Sequence, residues 1–267
     1  MLFGEPQIAN TIRLDRLTTH EVCPLKIWSR WLWILLFGLS ACAAPLPAPS
    51  AVPSPQPLRV RTDTAFEPLL PLLAGCVPPG LALYFVRPDQ PADLTLSWDV
   101  PRGPSPDANQ NPPVPAYILG SEDLVLVVHP SNAIPSLKSA VVQVIYAGHF
   151  TNWDPVGGQN LPLTAWTYPA GEAIQRIFDA SILQPERLAA QVHTAPGPPD
   201  LRAAVAADPG GLGFLPRRWL DGSVRELSIP DADPAAFTRP LLASMTIQPA
   251  GEIKDFLLCL QEGLKTP

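Results

Sequence analysis

Cys42 is the residue whose setting most clearly commits it to chemistry. It ends Leu39-Ser40-Ala41-Cys42, which closes the uncharged run Trp31–Ala41 behind Lys26 and Arg30. A basic flank, a short apolar core and small residues before a cut describe a secretory signal. Cleavage before Cys42 leaves a thiol that can carry diacylglycerol and an amino terminus that can take a further acyl chain. The uncharged run is shorter than the roughly 20 apolar residues a bilayer span needs. Of the other cysteines, Cys23 lies in the signal region, Cys76 near the end of the first predicted helix and Cys259 inside the last. Outside the cytoplasm, Cys76 and Cys259 either close one disulfide or stay two buried thiols. His20, His129, His149 and His193 are scattered without metal-ligand spacing, so no metal or cofactor is expected. Ser121, Asp123 and His129 are neighbours in sequence but lack a nucleophile elbow, and no catalytic residue is expected. Glu122 and Asp123 read as a solvated turn.

The Leu-Ser-Ala-Cys stretch matches the lipobox of bacterial lipoproteins. Residues 1–41 are then a signal peptide with an N-terminal extension; its Glu5, Asp15 and Glu21 are foreign to such a signal, and use of an alternative initiation codon would put the start of translation nearer Val22. Several acyl chains hold a protein on a membrane far better than one, so the mature chain is expected to be extracytoplasmic and lipid-anchored. Residues 42–57 are rich in proline and alanine and read as a semi-rigid tether or a plain disordered linker. The net charge of −6, with no basic run and no aromatic-basic interleaving, excludes nucleic acid as a partner.

The rest of the chain alternates strand and helix patterns. Leu58-Arg59-Val60-Arg61 alternates apolar and basic, and Thr62-Asp63-Thr64 leads into a helix over 65–75 with Phe66, Leu69, Leu70, Leu72 and Leu73 at helical spacing. Residues 81–86 and 93–97 read as strands and 99–115 as a loop. Residues 117–119 and 124–128 read as two strands around a turn, 136–146 as a helix, 163–167 as a strand and 172–183 as a helix. A helix over 200–207, a strand over 212–215 and an amphipathic helix over 251–264 follow. Such alternation argues for an α/β fold with largely parallel sheets.

Four segments then carry a resemblance. His129-Pro130-Ser131-Asn132, Ile145-Tyr146-Ala147-Gly148, Thr151-Asn152-Trp153 and Val156-Gly157-Gly158 resemble, in order and spacing, the middle of phosphate-type solute-binding proteins of ABC importers. Pro209-Gly210-Gly211-Leu212-Gly213-Phe214 and Thr238-Arg239-Pro240-Leu241 are similar to later family segments. The resemblance spans residues 58–263. It implies a type II periplasmic-binding-protein fold, with lobe I from 58–120 and 227–267, lobe II from 121–226, and a ligand cleft between them. It also implies a monomer without enzymatic activity that captures a small ligand, an anion or a polar solute, for an ABC permease.

The ligand residues implied by the resemblance depart from the family pattern. Thr62-Asp63-Thr64 stands where the family has Gly-Ser-Thr; Asp63 either repels a dianion or caps the following helix. Ser97 is retained and is followed by Trp98, which can stack on a ligand or cover the hinge. Gly171-Glu172-Ala173-Ile174-Gln175 replaces Gly-Ser-Gly-Thr-Arg, and Arg176 sits one residue late, about 100° further around a helix. Loss of a bidentate arginine argues against inorganic phosphate. With Tyr168, these residues form the expected site: Thr62, Asp63, Thr64, Ser97, Trp98, Tyr168, Gly171, Glu172, Ala173 and Arg176. A degenerate receptor-like domain serving as a cell-surface sensor or scaffold is the alternative.

Overall fold

Period-two alternation at residues 58–61 becomes a strand with Leu58 and Val60 facing the core, because successive side chains point to opposite faces. The structure, a computed structural model, describes residues 54–99 and 114–265. The signal peptide, Cys42 and most of the tether lie outside the described residues, as does most of the proline-rich loop. In chain order the strands are β1 (Gln56–Thr62), β2 (Leu81–Phe85), β3 (Leu94–Trp98), β4 (Ala116–Val128), β5 (Thr164–Thr167), β6 (His193–Thr194), β7 (Gly211–Pro216), β8 (Arg225–Leu227) and β9 (Thr238–Ser244). The helices are α1 (Leu70–Cys76), α2 (Ser139–Tyr146), α3 (Ala173–Phe178), α4 (Pro198–Ala207), α5 (Pro234–Phe237) and α6 (Gly251–Lys265). Among the described residues no helix is long and apolar enough to cross a membrane.

Strand order is β2-β1-β3-β9-β4-β7-β5-β6, with β8 also pairing β4. The β1 pairs with β2 and β3 are parallel, as are the β5 pairs with β6 and β7. Everything involving β4 or β9 is antiparallel. The sheet is therefore mixed rather than largely parallel: β4 and β9 run against their neighbours where the chain crosses the middle of the molecule.

β4 corrects a second expectation. Residues 120–123 do not turn; the strand runs through them for 13 residues, with one irregularity between Ile118 and Gly120. Its first part pairs β9 as far as Asp123–Thr238, and from Leu124 onward it pairs β7. Glu122 is not solvated. It is 2% exposed and forms an ion pair with Arg218, just beyond β7. Asp123 accepts from Arg217 and from the Thr238 hydroxyl. These distant partners satisfy the polar groups that made the segment look like a loop.

Leu124–Val128 and the whole of β7 are buried, as expected for strands covered on both faces. Phe178 stacks on Phe214 with ring centroids 4.0 Å apart, and Tyr146 and Tyr168 meet the same ring edge-on. Gly148 closes α2 at φ 83°; the His149 and Gly148 N–H groups return to the Val144 and Ile145 carbonyls, a helix ending that favours glycine. On the other side, α6 buries Ile253, Phe256, Leu257, Leu260 and Leu264, each worth roughly 1.5–3 kcal/mol relative to exposure. Cys259 of α6 is disulfide-bonded to Cys76 at the end of α1, with Cα atoms 5.6 Å apart. The first predicted helix is not one α-helix: Pro68 and Pro71 restrict it to a 3-10 turn over Thr64–Leu69 followed by α1. The tether also ends earlier than expected, since β1 begins at Gln56.

Candidate functional site

Three chain segments far apart in sequence line one cavity of about 490 Å³. The end of β1 brings Arg61, Thr62, Asp63 and Thr64; β3 brings Thr95 to Trp98; the turn into α3 brings Gly171, Glu172, Ala173 and Arg176. Pro88 completes the wall.

Asp63 is held at the start of the 3-10 turn by the chemistry that makes aspartate a good cap. One carboxylate oxygen accepts from the Ala65 N–H at 3.1 Å, the other from the Trp98 N–H at 2.5 Å, and the Phe66 N–H goes to the Asp63 carbonyl. The Ala65, Phe66 and Trp98 N–H groups at this helix start are therefore already used. Burial pushes the Asp63 carboxyl up to about 6; the two N–H groups oppose that shift, the Glu172 charge adds to it and Arg176 subtracts from it.

At the end of β3, the Ser97 hydroxyl donates to the Asp99 carbonyl at 3.3 Å and the Asp99 N–H to the Pro240 carbonyl at 2.9 Å. Asp99 itself has φ 64°, a left-handed conformation that aspartate tolerates better than most residues. Trp98 is fully buried, and its indole N–H donates to the Glu122 carbonyl. It covers the crossing strands rather than offering a stacking face.

Across the cavity, Gly171 adopts φ 98° and lets the chain turn into α3. Arg176 does reach this cavity, and its Nη1 donates to the Gly171 carbonyl. Gln175, which the sequence resemblance aligns with an arginine, points away into the core at 1% exposure. Its side chain accepts from the Thr167 hydroxyl and the Tyr168 N–H and donates to Asp179. Beside the cavity, the Trp219 indole N–H donates to the Thr64 carbonyl at 3.3 Å.

Nine of the ten residues expected at the site thus share one cavity. Tyr168 does not. It is 2% exposed, and its hydroxyl donates to the Phe214 carbonyl, so it belongs to the aromatic core. Arg61 was missed, although its place in the β1 alternation, opposite the buried face, was readable. The trio Ser121, Asp123 and His129 is not assembled: His129 pairs with Ser131, and Asp123 with Arg217 and Thr238.

No protein-family model matches the sequence. Solved structures do match. A protein from Clostridium perfringens, assigned as a phosphate ABC transporter substrate-binding protein and solved with bound phosphate, superposes with a TM-score of 0.65 at 15% identity, over 77% of this chain and 93% of its own. The chain has the type II periplasmic-binding-protein fold. An ABC-type phosphate transport receptor from Vibrio cholerae shares the fold at TM-score 0.56 and 18% identity, over 79% of this chain and 96% of its own. So does the regulatory domain of MetR, a LysR family regulator from N. meningitidis, at 0.52 and 18%, over 77% and 92%. One fold serving receptors and regulators fixes architecture and leaves function to the site. In this fold the Asn152-Trp153 motif is structural: the Asn152 side chain accepts from the Asp154 and Leu161 N–H groups, and the Trp153 indole donates to the Gly210 carbonyl.

Proposed function

We propose that this chain is a lipid-anchored extracytoplasmic solute-binding protein that captures a small ligand in the Asp63–Arg176 cavity and presents it to an ABC permease. The observation that carries the reading is the convergence of residues 62–64, 97–98 and 171–176 on one cavity of a size that suits a small molecule. The lobes proposed to close on the ligand are residues 58–120 with 227–267, and 121–226, hinged where β4 passes from β9 to β7. A single chain is the working unit, and no catalytic residue takes part.

Inorganic phosphate is not the proposed ligand. The Asp63 carboxylate places a negative charge on the Ala65 and Trp98 N–H groups, where an oxyanion would have to displace it, and Glu172 lines the same cavity. Those occupied donors also support a second reading, a receptor-like domain serving as a cell-surface sensor or scaffold. Thermal unfolding against phosphate, sulfate, organic acids, amines, amino acids and sugars separates the two. A ligand of the folded state at a hundredfold excess over its dissociation constant adds about 2.7 kcal/mol of stability. A shift with any solute supports the receptor, and no shift supports the sensor or scaffold. Membrane fractionation of Cys42→Ser tests the anchor: release to the soluble fraction is expected, and retention contradicts lipidation at Cys42.

A further inference from the structure

The cavity presents both signs of charge. Arg61 and Asp63 line it from the β1 side and Glu172 and Arg176 from the α3 side, two acids and two arginines around about 490 Å³, with Pro88 and Leu96 supplying apolar wall. Each charge carries an incomplete set of partners. The Glu172 carboxylate has no hydrogen-bond partner among the described residues, and its charge acts unfavourably on Asp63. Asp63 accepts one N–H at each oxygen, and a carboxylate oxygen has room for a second. Arg61 donates from Nη2 to the Gln90 carbonyl, while its Nε is buried without a partner. Arg176 gives Nη1 to the Gly171 carbonyl.

A dianion gains from the two guanidinium groups but faces both carboxylates, and a simple cation meets the reverse. A molecule carrying one charge of each sign satisfies both pairs. Building on the solute-binding reading above, we propose that the cavity selects a small zwitterion of the amino-acid class, its ammonium group between Asp63 and Glu172 and its carboxylate toward Arg61 and Arg176. An ammonium there relieves the repulsion between the two acids, and its three N–H donors match the free lone pairs of the carboxylates. A ligand carboxylate matches the planar donors of the guanidinium groups.

Isothermal titration of the whole chain in mild detergent, with the common α-amino acids, γ-aminobutyrate and inorganic phosphate as separate titrants, tests this. Binding of at least one amino acid is expected, with no heat from phosphate. Glu172→Gln should weaken that amino acid by at least about tenfold, the loss of a charged hydrogen bond, and the exposed position of Glu172 leaves folding intact, which circular dichroism checks. Amino-acid binding that is indifferent to Glu172→Gln overturns the assignment of the ammonium site. Binding of phosphate, or of a neutral sugar in the thermal panel, without any amino acid overturns the zwitterion and leaves the receptor standing. Silence with every solute overturns both.

Discussion

The carboxylate of Asp63 accepts the backbone N–H of Trp98 at 2.5 Å, joining the start of the first helical turn to the end of β3 across 35 positions of sequence. With the Ala65 N–H on its other oxygen, the side chain acts as a built-in anion for two N–H groups that would otherwise be left without a partner. Both the electrostatics of the cavity and the local stability of the chain depend on it.

The first prediction concerns pH. The folded-state pKa of Asp63, about 6, lies above the ordinary 3.8, chiefly because the group is buried. The folded state therefore holds this proton more tightly than the unfolded state. The stabilisation is fully present below about pH 4 and is lost as pH rises through 6. Asp63→Asn removes the titration. Its melting temperature should vary less than the parent's between pH 4 and 7, measured by thermal unfolding in matched buffers. Equal slopes for the two proteins would show that Asp63 does not titrate in that window.

Removing the acceptor altogether has a different outcome. Asp63→Ala strands the Ala65 and Trp98 N–H groups, and an unsatisfied buried donor costs about 1–3 kcal/mol. The same change frees those donors and deletes a negative charge from the cavity. The variant should be less stable than the parent in buffer yet regain stability with millimolar sulfate or phosphate, which should leave the parent unmoved. Differential scanning fluorimetry with and without the anions reads both effects, and an anion response of equal size in both proteins would contradict the account.

How far the sequence could be read follows from where each side chain finds its partners. Helical spacing in α6 and alternation in β1 are local signals, and both elements lie where the pattern places them. Asp63 as a helix cap was legible for the same reason; its second bond, to Trp98, was not, because nothing local joins positions 63 and 98. Residues 120–123 looked like a turn because a glycine and two acids in a row rarely fit a strand. The arginines that neutralise them come 94 and 96 positions later. Tyr168 and Trp98 were plausible ligand contacts by type, and only packing shows that the hydroxyl and the indole N–H both end on backbone carbonyls.

The disulfide makes a third prediction. Cys76 and Cys259 are separated by 183 positions, so the bridge constrains nearly the whole described domain in its unfolded state. Cross-links of long loops contribute about 2–5 kcal/mol. Cys259→Ser should lower the urea midpoint correspondingly, and a reducing agent should lower the parent to a similar value while leaving the variant where it is. A parent insensitive to reduction, with free thiols titrating in the unfolded state, would show that the two cysteines are not bridged.

The fourth concerns the crossing of β4. Glu122 is almost wholly buried, and Arg218 reaches it with both its backbone N–H and its guanidinium. Burial raises the Glu122 pKa and Arg218 opposes that rise, so removing Arg218 leaves an acid that must either stay charged without a partner or take up a proton. Loss of one member of a buried pair typically costs 3–5 kcal/mol, an upper figure here because Arg218 is itself partly exposed. Arg218→Ala should therefore unfold at markedly lower urea at pH 8 and recover part of the loss as the pH is lowered, because burial favours the protonated Glu122 and a protonated Glu122 needs no cation. Arg218→Ala combined with Glu122→Gln should be more stable at pH 8 than Arg218→Ala alone, because the uncompensated charge is gone. If the double variant is as weak as the single one across this range, the arginine acts through packing over β4 rather than through charge, and the joint between the two halves of the sheet is held by shape.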